Sequence, residues 1–244
     1  MLSLFKTKPK LAELIPNGYV DIHSHALPGI DDGAKNMQDS DFLLTSMSSL
    51  GFSKVITTPH TMGNVWSNTS ETINNALNDV KVNLSSISEK VKLEAASEYF
   101  LDEKLMELVQ QSKLLPLKEN YILVEMSYLN APMQLYDFLF ELQLKGYQLI
   151  LAHPERYSFF HNRKKEYDKL KKAGCMFQLN LLATVGYYGK DVALVSDYLM
   201  KEGMYDFVGS DIHHQKHLQS FGGKIIVSQQ KVLQQLLENN KFFK

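Results

Sequence analysis

Short apolar runs alternate along the chain with longer stretches of helical periodicity. Seven runs read as strands, at residues 19–23, 54–58, 91–96, 121–125, 148–152, 176–180 and 206–209. Each is short, apolar and followed by polar residues, the pattern of parallel strands covered on both faces. Between them the apolar positions recur at helical spacing. This predicts helices over 39–50, 69–88, 102–111, 133–145, 164–173, 190–202 and 227–239.

Strand and helix alternating with right-handed crossovers give an α/β fold, either an open doubly wound sheet or a closed barrel. Seven such repeats favour a TIM-barrel-like (β/α)7 barrel. No G-x-G-x-x-G motif follows the first strand, which weakens a dinucleotide-binding reading. Low-complexity segments and linkers are absent, so residues 1–244 read as a single domain with 1–17 as an N-terminal extension.

In a barrel the chemistry sits where strands end and loops begin. The first predicted strand ends in Asp21-Ile22-His23-Ser24-His25, and the loop beyond it adds Asp31-Asp32-Gly33. The second ends in Thr58-Pro59-His60, the third runs into Ser97-Glu98, the fourth ends at Glu125 and the fifth at His153. The seventh ends in Ser210-Asp211-Ile212-His213. Five of the eight histidines thus fall at strand ends, beside four carboxylates, Asp32, Glu98, Glu125 and Asp211. On an extended strand residues i and i+2 face the same side, so both imidazoles of His23-x-His25 reach one point while Ser24 turns away. Four carboxylates crowded at one mouth would repel one another and raise their pKa values, and divalent cations remove that conflict.

Composition excludes several classes. A formal net charge of −1 gives no basic excess for nucleic acid or an anionic membrane surface. The single Cys175 leaves no disulfide framework and no Cys-rich zinc site, and it reads as a small buried apolar residue. No apolar stretch approaches the roughly 20 residues of a membrane span, and the apolar run within residues 1–10 is too short for a signal peptide. The expected location is cytoplasmic. Arg156 and Arg163 are the only arginines, so a guanidinium that grips phosphate is one of these two.

The order His-x-His, Asp, Pro-His, Glu, Glu, His-Pro-Glu-Arg-Tyr, Ser-Asp-x-His resembles the PHP (polymerase and histidinol phosphatase) superfamily. Within it, the likeness is to the manganese-dependent protein-tyrosine phosphatases of bacterial capsule and exopolysaccharide operons. The stretches DIHSHALPGIDDG at 21–33, TTPH at 57–60, AHPERY at 152–157 and GSDIH at 209–213 carry it. The resemblance implies a distorted seven-stranded βα barrel and three divalent ions, Mn2+ first, with Fe or Zn2+ as alternatives. It implies His23, His25, Glu98 and Asp211 around the first ion. Glu98, Glu125 and His153 surround the second, with Glu98 bridging, and Asp32, His60 and His213 the third. Asp32 is favoured over its neighbour Asp31, although residue spacing leaves both open.

The reaction so implied is attack of a metal-bridging hydroxide on phosphorus, with Arg156 neutralising phosphate oxygens. Asp211 acts within the catalytic set. Members from Gram-positive bacteria usually carry a second arginine after the last Asp-x-His. Here the region reads His213-His214-Gln215-Lys216-His217, so Lys216 or His217 is the candidate substitute as substrate contact, and His217 the candidate proton donor. Trp66, the only tryptophan, is placed to stack on a phosphotyrosine ring or simply to pack on the barrel. The implied substrate is the tyrosine-rich, phosphorylated tail of a bacterial tyrosine kinase. The rival readings are a histidinol phosphatase or another small-molecule phosphoesterase, an amidohydrolase, and a non-catalytic regulatory module. Oligomeric state is not legible.

Overall fold

A computed structural model describes residues 7–244. The first six residues, and with them most of the run considered above as a signal peptide, lie outside the described residues. Among those described, nine strands are present, all paired in parallel. They are β1 (Tyr19–Asp21), β2 (Phe52–Thr57), β3 (His60–Thr61), β4 (Lys92–Ala95), β5 (Glu98–Phe100), β6 (Tyr121–Glu125), β7 (Gln148–Ala152), β8 (Met176–Asn180) and β9 (Phe207–Gly209). They form one sheet in the order β1-β2-β4 and a second in the order β3-β5-β6-β7-β8-β9. The helices are α1 (Met37–Ser49), α2 (Ser70–Asn83), α3 (Ser85–Ser88), α4 (Glu103–Gln110), α5 (Leu135–Leu144), α6 (Lys165–Lys172), α7 (Lys190–Lys201), α8 (Gln215–Ser220) and α9 (Gln230–Asn239).

Nine strands replace the seven expected because the second predicted strand stops early and two further pieces, β3 and β5, form. The 54–58 strand breaks at Thr58-Pro59, where proline has no N–H to continue a ladder. The 91–96 strand stops at Ala95, and β5 resumes at Glu98. Backbone hydrogen bonds span these breaks. Thr58 N–H donates to Ser24 O at 2.7 Å, Ala96 N–H to Thr57 O at 2.8 Å and Glu98 N–H to Pro59 O at 3.2 Å. At the other edge, Asp211 N–H donates to His23 O at 2.7 Å and His25 N–H to Ile212 O at 2.9 Å, around an isolated parallel bridge between Ser24 and Ile212. The ends of the first and last strands are therefore tied to each other.

The strands are buried on both faces. Along β6, Ile122 and Val124 join the apolar core packed under the helices, while Leu123 faces a smaller inner cluster. Along β7, Leu149 and Leu151 pair with the helices, and Ile150 and Ala152 face inward. Glu125 follows Leu123 by two residues and so emerges on the inner side.

Helix differences have local causes. The segment expected as one helix over 69–88 divides at Leu84, where ψ turns to 47°, in a stretch holding Asn83, Ser85 and Ser86. Such residues compete for backbone hydrogen bonds, and Asn83 Nδ2 donates to Asp79 O at 2.8 Å. The last long helix starts at Gln230 rather than 227, because the Asp197 carboxylate holds the backbone N–H groups of Ser228 and Gln229 at 2.6 and 3.1 Å. Helix α8 is additional, too short to show a period. The described part of the N-terminal extension packs down: Leu11 is fully buried, and its N–H donates to Gly223 O at 2.9 Å.

Candidate metal centre

The nine residues expected as ligands converge at the ends of the strands. Their ligand atoms fall into four overlapping groups: His25, Asp32, His60 and His213; His23, Glu98 and His153; His23, His25 and Asp211; His60, Glu98 and Glu125. Within each group the atoms lie within 4.8 Å of one another. The partition differs from the one the resemblance implies. His25 is shared between the first and third sets, His60 also reaches the Glu98–Glu125 pair, and His153 joins His23.

Backbone geometry explains the convergence. His60 and Glu98 are register partners across β3 and β5, and Glu125 is the partner of Phe100 on β6. By alternation along β7, His153 would point away from the inner face occupied by Ile150 and Ala152. Its backbone instead adopts φ 36°, a left-handed conformation rare for a side-chain-bearing residue, and Asp211 does the same at φ 51°. Two glycines make room. A Cβ at Gly33 would sit 2.1 Å from His25 O, and one at Gly209 would sit 2.6 Å from His23 Cβ.

The polar atoms aim at shared points rather than at each other. His23 Nε2 lies 3.1 Å from Glu98 Oε2 and 3.2 Å from Asp211 Oδ1. His60 Nδ1 lies 3.1 Å from Glu98 Oε2 and 2.9 Å from Glu125 Oε1, and His153 Nε2 3.1 Å from Glu98 Oε1. Yet His23 Nε2, His25 Nε2, His60 Nδ1 and Glu98 Oε2 are buried without a hydrogen bond of acceptable geometry. Buried polar atoms are normally satisfied, so four orphans in one cluster point to a cation as the missing partner. Imidazole and carboxylate donors without thiolate suit Mn2+, Fe or Zn2+.

Charge bookkeeping within the cluster agrees. Burial alone would lower the pKa of the His23 imidazole, but Glu98 and Asp211 outweigh it and lift it to about 10. Burial raises the Glu98 and Asp211 carboxyls, and the imidazolium groups around them more than reverse this, holding both well below the usual carboxylate range. Glu125 goes the other way, raised by burial and by the charge of Glu98. His153 is held down to about 4 by burial, with Arg156 adding to the effect. The mutual shifts show imidazole and carboxylate donors held in strong electrostatic contact, a charge arrangement that divalent cations would satisfy.

A second layer orients these donors. His23 Nδ1 meets Gln178 Oε1 at 2.9 Å, and His25 Nδ1 meets Asp31 Oδ2 at 2.7 Å. Asp31 is buried and also accepts from Gly33 N–H, whereas the more exposed Asp32 reaches His60 and His213 at 3.4 Å each. The two adjacent aspartates therefore hold different positions. Asp211 Oδ2 accepts from Asn180 Nδ2 at 2.7 Å and from Arg156 Nη1 at 2.8 Å, leaving Oδ1 facing the histidines.

Arg156 is clamped between aromatic rings, 4.5 Å from the centroid of Tyr128 and 4.2 Å from that of Tyr188. It forms no pair with Glu155, which is fully buried and accepts from Asn180 N–H and Tyr205 Oη. Above the cluster lies a cavity of about 720 Å³ lined by Arg156, His217, Trp66, Tyr128 and Leu129 among others. His217 is buried, with Nδ1 3.0 Å from Asp211 O and 3.2 Å from His213 N. Lys216 is exposed and lines an adjoining groove instead of this cavity. Sequence reasoning missed Gln178, Asn180, Tyr128 and Tyr188. The one available signal was a pair of buried amides, two apart, in the otherwise apolar 176–180 run, the strand whose end carries no metal-capable side chain.

Comparison with known proteins finds relatives among tyrosine-protein phosphatases. Tyrosine-protein phosphatase YwqE of Bacillus subtilis is 29% identical over 200 residues, covering 81% of this chain and 78% of that protein. The putative tyrosine-protein phosphatase CapC of Staphylococcus aureus is 27% identical over 195 residues, 80% of this chain and 76% of that protein. Solved structures described as YwqE from Bacillus subtilis and CpsB from Streptococcus pneumoniae, unique metal-dependent tyrosine phosphatases, include one that superposes with a TM-score of 0.80 at 27% identity. It covers 92% of this chain and 93% of that one. A histidinol phosphate phosphatase from Lactococcus lactis shares the fold at a TM-score of 0.56 and 12% identity, over 92% of this chain and 94% of that one. The family model described as "Capsular polysaccharide synthesis, CpsB/CapC" matches residues 19–236, and the chain belongs to that family.

Proposed function

We propose that the chain is a metal-dependent protein-tyrosine phosphatase acting on the phosphorylated tail of a bacterial tyrosine kinase of capsule or exopolysaccharide synthesis. The observation that carries this reading is the nine-residue cluster with orphaned buried donors directly beneath a cavity that also presents Arg156. The named activity of the relatives supports the phosphotyrosine assignment. His23, His25, Asp32, His60, Glu98, Glu125, His153, Asp211 and His213 would hold three divalent ions, Mn2+ first. The whole chain acts as one cytoplasmic domain. Its two sheets are taken as one distorted barrel of seven strand segments, a reading supported by the bonds joining the first and last strands.

Bound there, the ions would supply positive charge against the phosphate and lower the pKa of water for hydrolysis. The chain's own residues do the rest. Arg156, held by Asp211 and two tyrosine rings, donates N–H groups to phosphate oxygens without having to reorganise. The apolar side chains of Trp66, Leu129 and Phe100 flank the phenyl ring. His217, whose Nδ1 lies 3.0 Å from Asp211 O and 3.2 Å from His213 N, lines the cavity and is the chain's candidate to pass a proton to the leaving oxygen. A tyrosyl leaving group has a pKa near 10 and so needs less help from a strong acid than an alkoxide does.

The test is a comparison of kcat/KM for a phosphotyrosine peptide and for histidinol phosphate, each with Mn2+ and after chelation. Metal-dependent preference for the peptide is expected. A much higher value for histidinol phosphate contradicts the substrate assignment, and activity unchanged by chelation contradicts the metal reading.

A further inference from the structure

The groove that Lys216 faces adjoins the catalytic cavity and encloses about 700 Å³. The two share Asp32, His213 and His214, so a peptide leaving the cavity on that side enters the groove directly. The groove presents Lys35 and Lys216, both exposed, and Phe42, whose ring is 45% exposed. Among the described residues the lysine ion pairs involve Lys54, Lys92, Lys104, Lys169, Lys171 and Lys241, and neither Lys35 nor Lys216 is in one.

The groove also carries two carboxylates, and neither pairs with a lysine: Asp39 Oδ2 accepts from the backbone N–H of Lys35 at 3.1 Å, and Asp32 Oδ1 lies 3.4 Å from both His60 and His213. Among the described residues, the Lys35 and Lys216 ammonium groups are therefore the unpaired cations of the groove, flexible point charges that meet a carboxylate or a phosphate without a fixed geometry.

We propose that this groove is a second anion subsite, which takes an acidic group carried by the substrate peptide beside the phosphotyrosine being hydrolysed. The inference rests on the phosphatase reading given above. The anion is either a carboxylate side chain or the phosphate of a second phosphotyrosine, and in the second case Phe42 offers an apolar surface for the ring. The subsite lies outside the cluster of proposed ligands and selects among peptides by what flanks the target residue.

Three peptides of one backbone sequence test it, each with a single target phosphotyrosine. One carries neutral flanks, one glutamate flanks, and one a second phosphotyrosine. Their kcat and KM are measured at low and high salt for the natural chain and for Lys35→Gln, Lys216→Gln and the double variant, with melting temperatures confirming that each variant folds. Two exposed charge pairs predict a preference for acidic flanks of about five- to tenfold, mostly in KM, fading with salt and largely lost in the double variant. Preference for both acidic peptides identifies a general anion subsite; preference only for the second phosphotyrosine identifies a phosphate subsite that uses Phe42. Equal kcat/KM for neutral and acidic peptides, or a preference that survives in the double variant, overturns the subsite while hydrolysis of the neutral peptide still supports the phosphatase reading. No hydrolysis of any peptide overturns both.

Discussion

Replacing Arg156 isolates the contribution of the protein's own charge from that of the metals. Its Nη1 bonds Asp211 Oδ2 at 2.8 Å, its guanidinium is stacked between Tyr128 and Tyr188, and its side chain keeps 20% exposure, toward the cavity. A hydrogen bond to a charged partner contributes roughly 1.5–3 kcal/mol, so losing one such bond to phosphate in Arg156→Ala lowers kcat/KM by roughly 10- to 150-fold. Arg156→Lys restores charge but neither the fork nor the stacking, and it recovers only part of the loss. Asn180 continues to hold Asp211 Oδ2 at 2.7 Å, so metal content is expected to stay close to that of the natural chain. The assay is steady-state hydrolysis of a phosphotyrosine peptide beside metal analysis of the same samples. An Arg156→Ala enzyme with full metal content and kcat/KM within about threefold of the natural chain refutes the assignment.

His23→Ala removes a donor shared between two ligand groups and Asp211→Ala the carboxylate of one, and both are expected to lose metal and activity together; retained metal with unchanged turnover contradicts the proposed centre. Gly33→Ala forces a Cβ to within 2.1 Å of His25 O, predicting a loss of roughly 1–3 kcal/mol in denaturant unfolding and weakened metal retention; an unchanged midpoint and metal load refute the close-packing argument. Burial lifts the Glu155 carboxyl to about 7, against an unfolded value near 4.3. Between those values the folded chain holds a proton that the unfolded chain has released, so stability falls as pH rises, by up to roughly 4 kcal/mol. Glu155→Gln removes that slope, and parallel stability curves for the two proteins from pH 4 to about 8 contradict the assignment.

The donors were legible in the sequence because strand ends are where a parallel α/β fold places chemistry, and because His23-x-His25 carries the period of an extended chain. How these donors divide among ions was not legible. That division depends on the left-handed backbone at His153 and Asp211 and on the register of His60 with Glu98, neither of which a residue pattern encodes. The extra strands β3 and β5 were hidden for a related reason: Pro59 signals a break but not where pairing resumes. The clamp on Arg156 draws Tyr128, Tyr188, Asn180 and Asp211 from four separate segments, each an ordinary residue type in its own surroundings. Lys216 shows the same limit. Its place in the chain suggested the phosphate site, while the direction of α8 turns it into the neighbouring groove.

The central claim is that a cation-filled cluster makes this chain a phosphatase. The most direct measurement strips the purified protein with a chelator, titrates Mn2+ back, and follows bound metal and phosphate release from a phosphotyrosine peptide in the same samples. Turnover that vanishes on stripping and returns in step with bound Mn2+ is the predicted result. Turnover that persists in metal-free protein, or protein that reloads with metal yet releases no phosphate, contradicts it.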